Sequence, residues 1–322
     1  MPATSTDGAT TRSTSEALHA HPPVRFGPVT GSAISEVRDL DGAARLGCAT
    51  EAALEHAIAY RAEAKQAFVV AAAARFALAL VGRPGAGKTQ LIKHALPMIA
   101  DLTDHDTMWF STSWPSPGLL PRSESLFIRP GEIAIVPALP SVFEDQGSPT
   151  VLIFDMLDHL PNEPEVHAFA AGLTEPWRLR LAPTSPLERT RLMVSTWIVP
   201  TERGLEIPAT MRRLHHLAVS LDGLDSPEAA AIQSGPSIWP APPTVTWHAL
   251  DDLDHVAREQ VSLDTVLWEG LDPDGAQPRL GSTRSAIAEH AARILAALDG
   301  RNHVAQTDLQ RAAKWARLPE EL

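Results

Sequence analysis

The stretch "FALALVGRPGAGKTQLIKHAL" constrains the fold more than any other part of the sequence. Phe76–Val81 is a short apolar run, which suits a strand that is buried on both faces. The motif Gly82–Thr89 follows it, with the spacing Gly-x-x-x-x-Gly-Lys-Thr. Leu91, Ile92 and Ala95 then recur at helical spacing. A strand, a glycine-rich turn and a helix in this order predict a parallel α/β core.

The glycine-rich turn has the composition of a phosphate-binding loop. Its glycines let the backbone curl so that N–H groups point at an anion, beside a helix N-terminus that favours negative charge. Lys88 should reach the β- and γ-phosphates, and the Thr89 hydroxyl should bind Mg²⁺. The sequence therefore predicts ATP and Mg²⁺ as ligands, where the alternative is a turn without a ligand. The predicted nucleotide contacts are Gly82, Arg83, Pro84, Gly85, Ala86, Gly87, Lys88, Thr89 and Gln90.

Two further apolar runs end in polar residues and predict the rest of the site. In "VLIFDMLDHL", four apolar residues lead into Asp155, the expected partner of Mg²⁺, although an aspartate there could instead cap a helix. Arg191–Thr196 is a third strand, which ends in small hydroxyls suited to sensing a γ-phosphate. Strands interleaved with helices predict a three-layer P-loop NTPase core with a parallel sheet. The ligand should lie at the carboxyl ends of those strands.

The remaining patterns predict a hairpin and a helical C-terminal part. Ser125–Val136 places two apolar strands around a Pro-Gly turn, which predicts a hairpin inserted in the core. From Arg284 onward an apolar stripe predicts a helix that ends at Gly300 as its C′ residue. Thr307 and Gln310 predict a capping box for a last helix.

Composition bounds the domains and the partners. The predicted domains are a disordered Ser/Thr-rich tail over 1–28, the ATPase core over 29–222, and a linker with a small helical lid over 223–322. A net charge of −12 argues against nucleic acid as a partner. No apolar run approaches the roughly 18 residues that span a bilayer. The single cysteine, Cys48, suits a reducing compartment, so a cytoplasmic location without membrane insertion is expected.

From about Gly31 onward, the order and spacing of these segments resemble the MoxR branch of the AAA+ ATPases, which has relatives among magnesium-chelatase subunits. "VGRPGAGKT" is similar to the family's phosphate loop, and "FIRPGEIAIV" is similar to its inserted hairpin. "STWIVPTERGLEIPATMRRL" resembles its sensor strand and the arginine-bearing segment that follows. "GSTRSAIAEHAARILAALDGRNHVAQTDLQRAA" resembles the family's lid helices.

The resemblance implies roles for two arginines and a ring assembly. Arg213 matches the arginine finger that reaches a neighbouring subunit's γ-phosphate, with Arg212 as the alternate. Arg284 matches the sensor arginine of the lid. Each also has a simpler interpretation, Arg213 as a solvated helix charge and Arg284 as a helix residue that contacts acids. A finger implies a ring, usually a hexamer, made of identical or mixed subunits and acting on a protein client.

Three positions depart from the family pattern. Met156 stands where the family has the glutamate that activates water, Ile198 where it offers asparagine, and Leu214 where an aromatic follows the finger. Asp158 matches a position where the family often carries Asp or Asn, so it is not a true substitute for the glutamate, although its carboxylate could approach the site from the turn. Two hypotheses follow: a slow, chaperone-like remodelling ATPase, or a hydrolysis-poor ring subunit that serves as a nucleotide-gated scaffold. A small-molecule kinase explains neither the lid nor Arg213.

Overall fold

The computed structural model describes residues 33–57, 61–103, 107–110, 123–129, 132–137, 151–154, 192–197, 215–221, 240–264, 266–269 and 282–317. The helices are α1 (Leu40–Ala57), α2 (Ala62–Ala74), α3 (Lys88–Ala95), α4 (Trp247–Gln260), α5 (Val266–Glu269), α6 (Ser282–Leu298) and α7 (Gln306–Trp315). The strands are β1 (Ala77–Val81), β2 (Thr107–Phe110), β3 (Ser123–Arg129), β4 (Glu132–Pro137), β5 (Val151–Phe154), β6 (Leu192–Trp197) and β7 (Leu217–Ser220).

Five strands form one sheet in the order β2-β5-β6-β1-β7, and every described pairing within it is parallel. All five residues of β1 are buried. Because successive side chains of a strand point to opposite faces, both faces of the sheet are covered at β1. The predicted parallel α/β core is therefore confirmed.

The apolar runs of the sequence correspond closely to strands of the sheet. The run Phe76–Val81 becomes β1 from Ala77 onward, and the third predicted strand becomes β6, which extends one residue further to Trp197. β5 ends at Phe154, so Asp155 lies just beyond its last residue and outside the described residues. β1 and β5 are apolar at every position, which is typical of strands in a parallel sheet that is covered on both faces.

The predicted hairpin is confirmed as β3 and β4. These strands pair antiparallel, and their last described pair joins Arg129 to Glu132 across a two-residue connection. The connection itself, which carries the predicted Pro-Gly turn, lies outside the described residues. The hairpin forms its own two-stranded sheet, separate from the parallel one.

The C-terminal helix α6 has the predicted apolar stripe and the predicted end. Ile287, Ala291, Ile294 and Leu295 are all buried in the core. Gly300 has a φ of 69°, and the Arg301 N–H donates to the Ala296 carbonyl at 2.9 Å. A left-handed glycine that returns the chain to the last helical turn is the expected C′ geometry.

The predicted cap of the last helix is wrong. Helix α7 begins at Gln306, and the Ala305 N–H donates to Asp308 Oδ2 at 2.8 Å. Arg301 holds the same carboxylate with two hydrogen bonds, of 2.6 Å and 2.9 Å. Asp308 therefore satisfies the helix start in place of the predicted pair Thr307 and Gln310, because a carboxylate fixed by a guanidinium is the stronger acceptor.

Helices α6 and α7 pack directly on α1 and α2. A Cβ placed on Gly47 of α1 would lie 2.4 Å from the Leu298 carbonyl oxygen, so the two backbones are closer than any side chain allows. On the other side, Lys314 Nζ lies 2.9 Å from Glu63 Oε1 of α2, and the buried Trp315 donates to the same oxygen at 3.2 Å. These contacts connect the lid helices to the helix that precedes β1.

The outer limits of the predicted domains are not described. The tail over 1–28 and the boundary between 222 and 223 both lie outside the described residues, so these assignments stay predictions. Within the described part of the chain, no helix is both long enough and apolar enough to cross a membrane.

Candidate functional site

The glycine-rich loop joins the carboxyl end of β1 to the first residue of α3. Gly85 and Gly87 have φ values of 81° and 88°, a region that side-chain-bearing residues rarely adopt. A Cβ built on either glycine meets no atom within 4 Å. The loop therefore borders open space on the side where a Cβ would project.

Lys88 is the first residue of α3, and its side chain turns back over the loop. Its Nζ donates to the carbonyl oxygen of Gly82 at 2.5 Å and to that of Arg83 at 2.9 Å. Lys88 is 7% exposed. A nearly buried ammonium held by backbone carbonyls is placed to exchange one of them for a phosphate oxygen.

The other predicted nucleotide contacts surround this lysine. Gly82 is buried, Ala86 and Thr89 are partly buried, and the remainder of the loop is exposed: Arg83, Pro84, Gly85, Gly87 and Gln90. The Ala86 N–H donates to the Arg83 carbonyl at 3.1 Å, which closes the turn. The Leu91 N–H donates to the Gly87 carbonyl at 2.8 Å and begins the helical ladder of α3. The arrangement offers an anion backbone N–H groups, a helix N-terminus and the ammonium of Lys88.

The sheet places β6, which is predicted to carry a γ-phosphate sensor, directly beside β1. β6 pairs with β1 so that Thr196 lies opposite Leu80, one residue before the end of β1, and Thr196 is completely buried. β5 lies beyond β6, with Phe154 opposite Ser195. The ends of β5 and β1 are thus two strand spacings apart, about 10 Å. The carboxyl end of β5, which precedes Asp155, lies at the same sheet edge as the phosphate loop.

Several predicted site residues and departures lie outside the described residues: Asp155, Met156, Asp158, Ile198, Arg212, Arg213 and Leu214. Their roles stay predictions. Among the residues that the structure describes, no three His, Cys, Asp or Glu side chains are grouped to hold a metal ion.

Arg284 lies at the amino ends of the parallel strands, whereas the phosphate loop lies at their carboxyl ends. Its Nη1 donates to the His215 carbonyl at 2.6 Å and to the His216 carbonyl at 3.2 Å. These residues immediately precede β7, which runs parallel to β1. The two ends of the strands are separated by the length of β1, about 13 Å. In this arrangement Arg284 and Lys88 are not brought together, and the sensor role of Arg284 stays a prediction.

Arg61, which no sequence pattern predicts as a site residue, contacts the phosphate loop. Its Nη2 donates to the Ala86 carbonyl at 3.0 Å, and its Nη1 donates to the Leu221 carbonyl just after β7. Only α2 and β1 lie between Arg61 and the phosphate loop, but nothing in "YRAEAKQ" predicts a contact with the loop. The only available signal is a basic residue at the start of the helix that leads into β1.

Comparison with known proteins agrees with this geometry. A family model described as magnesium chelatase, subunit ChlI, matches residues 56–130, and an AAA lid domain model matches residues 281–319. A crystal structure described as a "putative ATPase" from Cytophaga hutchinsonii superposes with a TM-score of 0.59 at 12% identity, covering 86% of this chain and 87% of that chain. No curated protein matches the chain.

The chain has an AAA+ fold. The first matched segment begins in α1 and includes α2, β1, the phosphate loop and α3, and the second includes α6 and α7. The two matches therefore fall on the nucleotide-binding and lid parts of the AAA+ fold, which is the order that the sequence predicts.

Burial of His216 beside Arg284 has a measurable electrostatic consequence. His216 stacks on Phe76 with ring centroids 4.9 Å apart, and its Nδ1 accepts the Ala77 N–H at 2.9 Å. Burial, followed by the positive charge of Arg284, lowers the pKa of His216 from its ordinary 6.5 to about 4. The imidazole is therefore neutral in the folded protein at neutral pH, and its protonation favours unfolding.

Because of His216, we expect the free energy of unfolding to decrease as the pH is lowered. The unfolded imidazole takes up a proton near pH 6.5 and the folded one only near 4, so this stability is complete above 6.5 and is lost as the pH falls towards 4. The loss is at most about 3 kcal/mol. Denaturant titrations at pH 7 and pH 4.5 should show it in the wild type. His216→Asn keeps an acceptor for the Ala77 N–H but cannot titrate, so equal pH dependence in both proteins would contradict this account.

Proposed function

We propose that this chain is an AAA+ ATPase of the MoxR type, which binds Mg-ATP and acts in a ring on a protein client. The supporting observation is the phosphate loop itself. Two glycines with positive φ border open space, and Lys88 lies over the loop between β1 and α3. A loop of this kind suits the phosphates of a nucleoside triphosphate.

The residues present fit both ligands. Under this proposal the loop from Gly82 to Gln90 surrounds the phosphates, and Lys88 holds the β- and γ-phosphates. Thr89 and Asp155 would hold Mg²⁺. When bound, this ion neutralises charge on the phosphate oxygens. β5 ends at the same sheet edge as the loop, which supports Asp155 in this role.

The ring assembly is proposed from the resemblance to the MoxR branch, in which an arginine finger acts between subunits. Arg284 lies at the sheet edge remote from its own phosphate loop, where it binds the backbone before β7. Under this proposal, Arg284 would act on the nucleotide of a neighbouring subunit. Arg213, matched to the arginine finger, would likewise complete the neighbour's site. A hexamer of identical or mixed subunits in the cytoplasm is the proposed assembly.

Hydrolysis is proposed to be slow. Met156 follows Asp155 where the family has a glutamate, and a positioned general base contributes roughly 10²–10⁴-fold in rate. Without a replacement we expect a turnover below about one per second, the low end of ordinary enzymes. The same residue favours the second candidate, a subunit that uses ATP to set the state of assembly and leaves hydrolysis to an active partner.

Binding of Mg-ATP should stabilise the protein. At a ligand concentration about 100-fold above the dissociation constant, the gain is roughly 2.7 kcal/mol. A domain of this size gains on the order of 2–4 °C in melting temperature per kcal/mol. Differential scanning fluorimetry should show this shift in the wild type and none in Lys88→Ala. A wild type that is unaffected by millimolar Mg-ATP would overturn the proposed function.

Assembly should depend on nucleotide and on Arg213. With a slowly hydrolysed ATP analogue, multi-angle light scattering should give a larger mass than for the apo protein. Arg213→Ala should lower that mass and leave the Mg-ATP thermal shift intact, because the finger acts on a neighbour. Arg212→Ala is the matched control and should assemble normally. An effect of Arg212→Ala in place of Arg213→Ala would transfer the finger role to Arg212.

Restoring the missing acid should restore hydrolysis. Met156→Glu should raise the rate of phosphate release by about 10²-fold, the low end of what a placed base supplies. Met156→Gln has the same length without a basic carboxylate and should show no gain. Brisk turnover by the wild type would mean that another acid, first Asp158 or Glu163, already serves. No gain in Met156→Glu with ATP still bound would place the defect elsewhere, first at Ile198.

A further inference from the structure

Arg61 combines an unusual residue type with an unusual backbone conformation. It precedes α2 with a φ of 60°, and its side chain makes no capping hydrogen bond to the helix. Of the described residues, only Arg61 and Arg75 have a positive φ without being glycine. Arg75 ends α2, where a left-handed residue is common, whereas helix starts favour extended Ser, Thr, Asp or Asn. The conformation of Arg61 therefore needs an explanation outside α2.

The guanidinium of Arg61 connects the phosphate loop to the edge of the sheet. One nitrogen donates to the Ala86 carbonyl at 3.0 Å, and another donates to the Leu221 carbonyl. Leu221 is in turn fixed to the loop's own strand, because its N–H donates to the Val81 carbonyl at 2.7 Å. Arg61 thus connects the loop to the ends of β1 and β7, a task suited to its planar fork of donors.

The contact at Ala86 controls the direction of the next N–H group. In a trans peptide the carbonyl oxygen and the following N–H point in opposite directions. The described chain has no cis peptide bond. With the Ala86 carbonyl directed at Arg61, the Gly87 N–H is directed away from Arg61. Since backbone N–H groups are the phosphate ligands of such a loop, their direction decides whether the cradle is formed before the nucleotide arrives.

The start of α2, which follows Arg61, is held in place by the lid helix α7. Glu63, two residues further on, binds Lys314 and Trp315 of α7, and Gln66 accepts from Arg311 at 2.8 Å. The first turn of α2 therefore contacts the phosphate loop on one side and the last lid helix on the other. A side chain that starts from so constrained a turn can hold a loop carbonyl in one place.

We propose that Arg61 is a positioning residue for the nucleotide, which sets the phosphate loop through the Ala86 carbonyl without touching the nucleotide. This inference rests on the proposed function, because it concerns the same loop and the same ligand. Arg61 supplies no group to the reaction. It holds the Ala86–Gly87 peptide in the orientation that offers the Gly87 N–H to a phosphate.

The test is the dissociation constant of Mg-ATP, measured by isothermal titration calorimetry well below the apo melting temperature of every variant. Arg61→Asn tolerates the left-handed backbone but removes the fork. We expect its dissociation constant to rise roughly 10-fold, as the loss of a hydrogen bond from a charged donor implies. Arg61→Lys retains a cation that can hold one of the two carbonyls, so it should recover part of the affinity.

The matched control is Arg38→Asn, which removes the same charge from an exposed arginine whose guanidinium binds its near neighbour Glu36. Its dissociation constant should equal that of the wild type. A purely structural role for Arg61 would lower the apo melting temperature of Arg61→Asn and leave the dissociation constant unchanged, which would overturn the inference. Unchanged affinity in Arg61→Lys together with a folded but unaffected Arg61→Asn would do the same.

The two proposals fail in different ways. A wild type that does not bind Mg-ATP overturns the proposed function, and the inference about Arg61 falls with it. A wild type that binds, a Lys88→Ala variant that does not, and an Arg61→Asn variant with wild-type affinity overturn only the inference. If Arg61→Asn does not fold, the comparison of Arg61→Lys with the wild type decides, since a lysine that gives full affinity contradicts the need for a fork.

Discussion

The burial of β1 on both faces is the constraint on which the rest of the site depends. A strand that is covered above and below and paired on both sides, with β6 and β7, has no freedom to shift. Its carboxyl end is therefore a fixed point, and the phosphate loop starts from it without an intervening residue. Under the proposed function the N–H groups of this loop bind a triphosphate, and the loop needs such a fixed starting point because each displaced donor would weaken the contact.

The packing of the lid helices on α1 and α2 determines where Arg284 lies. These helices approach α1 so closely at Gly47 that the Leu298 carbonyl occupies the place of a side chain, and they meet α2 through Glu63. This packing directs Arg284 to the edge before β7, about 13 Å from the end of β1 where the loop begins. Arg284 so placed does not reach the phosphate loop of its own subunit, and under the proposed function it would serve the nucleotide of a neighbouring subunit.

Local patterns in the sequence were sufficient for the parts that local interactions decide. The apolar runs of β1 and β6, the glycine spacing of the loop and the stripe of α6 each predict the observed element. The cap of α7 was predicted wrongly because Asp308, one residue beyond Thr307, is held by Arg301 and accepts the Ala305 N–H. Arg61 could not be predicted, since its partners lie 25 and 160 residues away in the chain.

Binding and hydrolysis depend on different kinds of structure in this molecule. Binding is proposed to rest on many backbone groups, one buried lysine and the guanidinium of Arg61, so the loss of a single side chain other than Lys88 should weaken it only in part. Hydrolysis is proposed to rest on single side chains, the residue after Asp155 and the arginines of a neighbour. A chain with Met156 at the first of these places can keep the nucleotide while turnover waits for assembly. Slow hydrolysis and a ring would then be two consequences of one site that no single subunit completes.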